Sequence, residues 1–380
     1  MSIYFFFFNL YLSGHGYSEA QLGLLTGTMA AGNLAGAFPA GRFIQRKGLR
    51  SALITCVIAA PIVLCARSLS PSFPLQLALA FLTVLALCLW AVCQAPFIAA
   101  ITGERERPLA FSLVFSLGIG VGGLGALAGS RMPGWFSEHL AFSDVLASDQ
   151  LTLIAACCIA AIGVIPAVAL RAGRTALPAR AGSLWTPAVR RILPAIGTWG
   201  LVAGSFFPFA NVFLATHLRL PLHSVGTVFS LSQLCQVAAV LCAPLVFRRL
   251  GVSNGVFTMQ MATASCFLIL ALTANPVAAS MTYITLTGMQ YMGEPGIYSM
   301  MMKIVPEESR GGASASMALV LGAAQLIAAT CAGWTFTNLG YPRALGIIAL
   351  VALTAGLLFK MAGHAETRAL VPLGDAGKAE

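Results

Sequence analysis

The sequence predicts an all-α integral membrane protein of twelve helices, arranged as two repeated six-helix halves. Three observations predict it. Of the 380 residues, 58% are hydrophobic and only 9% charged, too little charge to cover a water-facing surface. The apolar residues fall in runs of about 20, the length that crosses a hydrocarbon core. Features of the first half of the chain also recur in the second at a nearly constant offset.

The elements follow in order from breaks at Gly, Pro and charge clusters. From Met1 to about Gly14 there is room for only about 20 Å of helix, short of a core of roughly 30 Å. No basic segment or small-residue cleavage site marks this stretch as a signal peptide. The expectation is that the N-terminal half of helix 1 is missing, as a misassigned start codon would produce. Spans follow at 19–42, 51–69, 74–102, 109–131 and 150–170, then at 191–216, 223–247, 255–274, 276–302, 311–338 and 342–362. Two bundles are therefore expected at 1–170 and 191–362. A basic, Pro- and Gly-containing linker at 171–190 joins them, and a polar tail occupies 363–380.

Charge gives the orientation. One set of alternate loops holds Arg42, Arg46, Lys47, Arg50, Arg105, Arg107, Arg171, Arg174, Arg180, Arg190, Arg191, Arg248, Arg249, Lys303 and Arg310, with Lys360, Arg368 and Lys378 in the tail. The opposite set holds only Arg67, Arg131, Arg219 and Arg343. The first set, and both termini with it, is expected to be cytoplasmic. The same distribution accounts for the net charge of +10 without a nucleic-acid partner. The ten cysteines lie almost wholly inside apolar runs with no CxxC or Cys/His spacing. They read as small buried hydrophobes, and no metal or cofactor is expected.

The repeat has four anchors. Asn9-Leu10-Tyr11-Leu12 with His15 matches Asn211-Val212-Phe213-Leu214 with His217, an offset of 202 (211 − 9). Gly23 matches Gly226, Arg46-x-Gly48 matches Arg249-x-Gly251, and Glu106/Arg107 matches Glu308/Arg310, each at 203 for the last residue named. Anchors in order at one offset mark an internal duplication. Two like bundles in one orientation can rock against each other around a midplane site.

With these features in place, the chain resembles the major facilitator superfamily over essentially its whole length. The most specific mark is Gly41-Arg42-Phe43-Ile44-Gln45-Arg46-Lys47-Gly48-Leu49-Arg50, which is similar to the family signature G-x-x-x-D-R-x-G-R-R. Gly41, Arg46, Gly48 and Arg50 are in place. Gln45 stands where the family usually has Asp, and Leu49 where it has a basic residue. The resemblance implies that charge contacts of that Asp help lock an outward-open state, so the lock here is expected to be weaker or differently built. The other reading of these charges is topology alone. Pro306-Glu307-Glu308-Ser309-Arg310-Gly311 resembles the family's loop after helix 10. The glycines of helix 5 (Gly118, Gly120, Gly122, Gly123, Gly125 and Gly129) lack the antiporter pattern and read as close packing. The resemblance further implies a monomer, a lipid bilayer and a small-molecule substrate as partners, and a central cavity lined by helices 1, 4, 7 and 10.

Ionisable groups inside spans are functional candidates by default, and Glu294, in Gly293-Glu294-Pro295-Gly296, is the clear case. Pro295 is expected to kink or hinge the helix. Tyr283, Thr287, Gln290, Glu294 and Tyr298 share one face by their three- and four-residue spacing. Placed by the resemblance, this stripe faces Asn9, Trp90, Gln94 and Asn211 across the substrate path. No Lys or Arg is expected well inside a span to pair with Glu294. Glu294 is then either a binder of a proton or a cationic group, or a neutral hydrogen-bonding partner of Gln290 or another helix. With no buried cation, an organic anion fits poorly, and aromatics beside one acid suit a cation or amphiphile.

Other polar residues carry less. His15 and His217 are expected at outer helix ends, Trp135 and Trp185 as interface anchors, and Gln233 and Gln236 either along the cavity or between helices. An enzyme would gather acids, histidines or serines near one surface. Instead Glu104, Glu106, Glu307 and Glu308 are interleaved with Arg. The leading expectation is a secondary transporter working by alternating access, leaning to efflux of a neutral or cationic lipophilic compound, with proton coupling as an option. The alternatives are an importer of a small polar solute and a non-transporting receptor or assembly protein. Arg-, Ala- and Gly-rich usage with few Lys suggests a bacterial gene and hence an inner or plasma membrane.

Overall fold

Aromatic residues bury the first helix on nearly every side. In the computed structural model, which describes residues 1–70, 72–103, 107–139, 145–169, 187–305 and 310–369, α1 spans Ser2–Gly14, with Tyr4, Phe6, Phe7, Phe8 and Tyr11 all buried. Its 13 residues give about 20 Å of helix. Helix α2, Glu19–Lys47, starts at a capping box. The Gln21 N–H donates to Ser18 Oγ, and the Ser18 N–H to Gln21 Oε1, so two otherwise orphaned donors are satisfied.

Then come α3 (Leu49–Leu69), α4 (Phe73–Ile101) and α5 (Arg107–His139). Helix α6 comprises Val145–Ala161 and Val164–Ala169. In the second half, α7 begins at Pro187, so Arg190 and Arg191 sit on its first turns. Helices α8 (Leu222–Leu250), α9 (Val252–Leu272) and α10 (Pro276–Ile304) follow. Two helices, α11 over residues 310–339 and α12 over 341–369, meet at Gly340, whose φ of 76° interrupts the helical backbone. Twelve helices thus stand among the described residues. The expected linker residues 171–186 (Trp185 included), Glu104 to Glu106, Pro306 to Ser309 and the end of the tail lie outside them.

Seven stretches are apolar and long enough to cross a bilayer by composition among the described residues. Helix α1 is too short to be among them, and α2 and α10 are richer in glycine and polar residues than the seven.

The repeat seen in the sequence has a structural cause. Gly48 and Gly251 both adopt left-handed φ, 87° and 75°. Each is the single residue between two helices (α2/α3 and α8/α9), a conformation natural to glycine. The expected loop over 41–50 is accordingly mostly helix, since α2 runs on to Lys47. Gly23 and Gly226 mark the crossings between the halves. A methyl group added at Gly23 would strike the Ala329 carbonyl and Gly333, and one added at Gly226 would strike the Ala126 carbonyl and Ser130. Ala329 and Ala126, like Gly333 and Ser130, are again 203 residues apart. The α2–α11 and α5–α8 seams are therefore equivalents under the pseudo-two-fold, and each needs close backbone approach.

These seams lie toward the end opposite the basic segments. Along α2–α11 the contacts run from Tyr341, whose hydroxyl donates to Glu19 Oε1 (3.3 Å), and the Ala20 N–H on Thr337 Oγ1 (2.9 Å), down to Gly322 against Leu34. Beyond them Phe38 is 65% exposed, and no atom of the described residues lies within 4 Å of a methyl built at Gly41, Gly118 or Gly120. Among the described residues α4 and α10 share no packed interface. The halves are joined at the far end and part toward the basic end.

One expectation fails in the first half. Arg67, assigned by its charge to a far-side loop, is 1% exposed and among the most buried side chains of the chain. Its guanidinium lies 4.3 Å over the Phe8 ring, and Nε donates to Gln76 Oε1 at 3.3 Å. Gln76 Nε2 returns bonds to the carbonyls of Arg67 (2.6 Å) and Ser70 (2.8 Å). Tyr11 and Gln150 cap the Ser68 carbonyl. The last turn of α3 is closed by side chains from three other helices, which draws Arg67 inward with it. No carboxylate contacts Arg67 among the described residues.

Of the cysteines, five are buried and all ten are free. No group of residues suited to a metal occurs among the described residues.

Candidate functional site

The polar stripe of α10 divides into a packed upper part and an open lower part. Tyr283 is fully buried, its ring 5.4 Å from Phe229 and 6.2 Å from Phe206. Thr287 donates to its own helix at the Ile284 carbonyl. These two are structural members of the stripe. Gln290, one turn further on, is 4% exposed, and neither its Nε2 nor its Oε1 has a hydrogen-bond partner among the described residues.

Glu294 follows, half-buried. The indole N–H of Trp199 on α7 is directed at its carboxyl without closing a full hydrogen bond. No cationic side chain pairs with Glu294 among the described residues. Tyr291 and Tyr298, at i−3 and i+4, flank it and are both exposed. Along the helix axes Trp199 is about 18 Å above the start of α7. Glu294 and Gln290 are about 15 and 21 Å above the end of α10. Trp199 therefore lies at a depth between those of Glu294 and Gln290.

Helix α10 continues through Pro295 with an unbroken helical backbone. A break in the helical backbone lies in α7. Its regular run ends at Ser205, a 3₁₀ turn occupies Phe207–Phe209, and a π turn occupies Phe213–His217. Pro208 has no N–H to give to the helix, which was the one legible signal for the break. Phe207, in that turn, meets Tyr291 edge-on at 6.5 Å.

Asn9 and Asn211 are placed at the junction of the halves just beyond this turn. Asn9 Nδ2 donates to the Pro208 carbonyl at 2.6 Å, and Asn211 Nδ2 donates to the Phe6 carbonyl at 2.6 Å. Tyr291 and Glu294 thus lie beneath a roof formed by α1 and the broken α7. Trp90, 44% exposed, and Gln94, partly exposed, are on α4, the helix that α10 does not pack against. The structure brings Glu294, Gln290 and Tyr298 together with Trp199, Tyr291 and Phe207, which the sequence did not single out. Asn9 and Asn211 stand apart, engaged with main-chain carbonyls.

In the signature segment, Gln45 and Arg46 are exposed on the last turns of α2. Arg42 lies 4.3 Å over Phe38, and Arg50 donates to the Val168 carbonyl at 2.6 Å, tying α3 to α6. Gly41 faces open space.

Two successive matches to one family model cover residues 1–196 and 192–378, and its description is Major Facilitator Superfamily. The chain belongs to that superfamily. The two matches meet near the start of α7, where the second half of the chain begins. No curated protein matches the chain in sequence. Solved superfamily-like folds match along nearly the whole chain. The nucleoside transporter NupG aligns with a TM-score of 0.73 at 13% identity, over 95% of each chain. A bacterial homologue of the iron transporter ferroportin in an inward-facing state aligns at 0.72 and 12%, over 95% of this chain and 94% of the other. A bacterial homologue of the human lysosomal transporter Spinster, inward-facing and occupied, aligns at 0.76 and 14%, over 96% and 93%. At such identities the likeness is one of fold. As a member of the superfamily, the chain is a multi-pass membrane transporter of small molecules and not an enzyme.

Proposed function

We propose that this transporter exports a neutral or cationic lipophilic compound by alternating access, with its basic end in the cytoplasm and Glu294 as the group that takes up a proton or a cationic part of the substrate. One observation carries the reading. Glu294 is a carboxyl without a cationic partner among the described residues, flanked by the exposed rings of Tyr291 and Tyr298 under the junction of the halves. Aromatic faces beside one acid attract a cation more strongly as water is excluded. Trp90 and Gln94 on α4, with Gln290 and Tyr298 on α10, complete the proposed cavity. On this reading the state described here opens to the cytoplasm, as the ferroportin and Spinster homologues do in their inward-facing structures. The membrane is the bacterial inner membrane and the working unit a monomer.

A second reading has an observation of its own. The orphaned amide of Gln290 offers a donor and an acceptor, which suits a polar solute such as the substrates of a nucleoside transporter like NupG. Flux in proteoliposomes separates the two. Lipophilic cations and nucleosides are presented with and without a proton gradient, to wild type and to Glu294→Gln. Cation efflux that follows the gradient and loses its pH dependence in Glu294→Gln is expected. Transport by that variant indistinguishable from wild type across a pH series sinks the role of Glu294.

A further inference from the structure

The bonds that Asn9 and Asn211 make are reciprocal. Each amide donates at 2.6 Å to a main-chain carbonyl of the opposite half, Asn9 to Pro208 and Asn211 to Phe6. The donors are 202 residues apart, and so are the acceptors. Each bond is therefore the image of the other under the pseudo-two-fold that relates the halves. The local backbone is arranged to allow this. Asn211 Oδ1 accepts the Val212 N–H at 2.9 Å, occupying the donor that a continuous α-helix would direct at the Pro208 carbonyl. The break in α7 thus leaves that carbonyl available to Asn9. Asn211 is itself buried.

We propose that Asn9 and Asn211 form a two-point latch that holds the far end of the transporter closed and sets the balance between its two faces. The inference rests on the alternating-access reading but not on any substrate or on Glu294. A rotation that separates α1 from α7 breaks both bonds at once, because they are symmetry equivalents on one axis. A buried amide deprived of its acceptor is costly unless water or substrate replaces it. The far end therefore resists opening until solute or solvent can take over the released amides and carbonyls. The Ala20–Thr337 and Glu19–Tyr341 bonds lie further out and close the neighbouring α2–α11 seam.

Hydrogen–deuterium exchange of the whole protein in nanodiscs, without substrate, tests this. Asn9→Leu and Asn211→Leu are each expected to raise exchange about five- to tenfold in far-end segments (residues 15–24 and 218–228), as loss of one hydrogen bond allows. At the basic end, residues 38–50, exchange is expected to fall as that side closes. The double variant should multiply the two effects. A rise at both ends means general loosening and overturns the latch, as does no change at the far end. Asn9 is only half-buried, so Asn9→Ala gives a second, milder version should Asn211→Leu fail to fold. The opposite responses of the two ends would stand even if no flux were found for any solute. Failure of the transport reading is then distinguishable from failure of the latch.

Discussion

At the scale of single residues, Arg67 shows how a charge can be misplaced by counting. A basic residue near the end of an apolar run ordinarily extends to the interface. Arg67 instead turns inward, because Phe8 offers an aromatic face and Gln76 both accepts from its side chain and caps its helix. Cation–π contact contributes on the order of 1–2 kcal/mol when desolvated, against a desolvation cost of several kcal/mol for a buried ion. The guanidinium is therefore not a net source of stability. Arg67→Met, close in volume and apolar, is expected to leave thermal stability in detergent unchanged or raised. Arg67→Ala should lower it by roughly 3 kcal/mol by leaving a cavity and an unpaired Gln76 acceptor. Equal melting of both variants would contradict this account. Glu294 was legible because any acid mid-span stands out. Trp199 and Tyr291 were not, since aromatics in apolar runs carry no mark of what they face.

At the scale of elements, the interfaces between halves depend on glycine where two helices touch by their backbones. The sequence showed Gly23 and Gly226 as equivalents, but not what each one meets. In the structure Gly23 lies against main-chain atoms of Ala329 and Gly333, and Gly226 against the Ser130 side chain and the Ala126 carbonyl, which cannot move aside. Gly226→Val is therefore expected to hold the α5–α8 seam apart. A cysteine placed at far-end Leu222 in a cysteine-free background should then react at least severalfold faster with a membrane-impermeant thiol reagent. Unaltered labelling would show that the seam yields easily. Helix 7 teaches the opposite lesson. Pro208 inside a span was visible, yet the hinge was assigned to Pro295. A proline alone does not interrupt the backbone, as α10 demonstrates. The break in α7 also needed Asn211 to take the Val212 N–H.

At the scale of the whole molecule, the contacts between halves gather at one end and the basic residues at the other. If the basic end is cytoplasmic, the described state is open inward and both termini face the cytoplasm. A green fluorescent protein fused after Glu380 should fluoresce in bacterial cells, and alkaline phosphatase at the same point should be inactive. Active phosphatase would invert the topology and with it the direction in which the far-end latch gates.

By itself the sequence determined the membrane class, the two halves, the superfamily and the residue Glu294. The bilayer imposes these along one dimension, through span length, loop charge and the cost of a buried acid. Only the tertiary structure decided that Arg67 is buried, that α7 breaks, that Trp199 approaches Glu294, and that Asn9 and Asn211 each bond a carbonyl of the opposite half, the pair of bonds proposed as a latch. The acceptors in that latch are main-chain carbonyls about 200 residues away. Every residue has one, so nothing in the letters distinguishes Pro208 or Phe6 as a partner until the chain is folded.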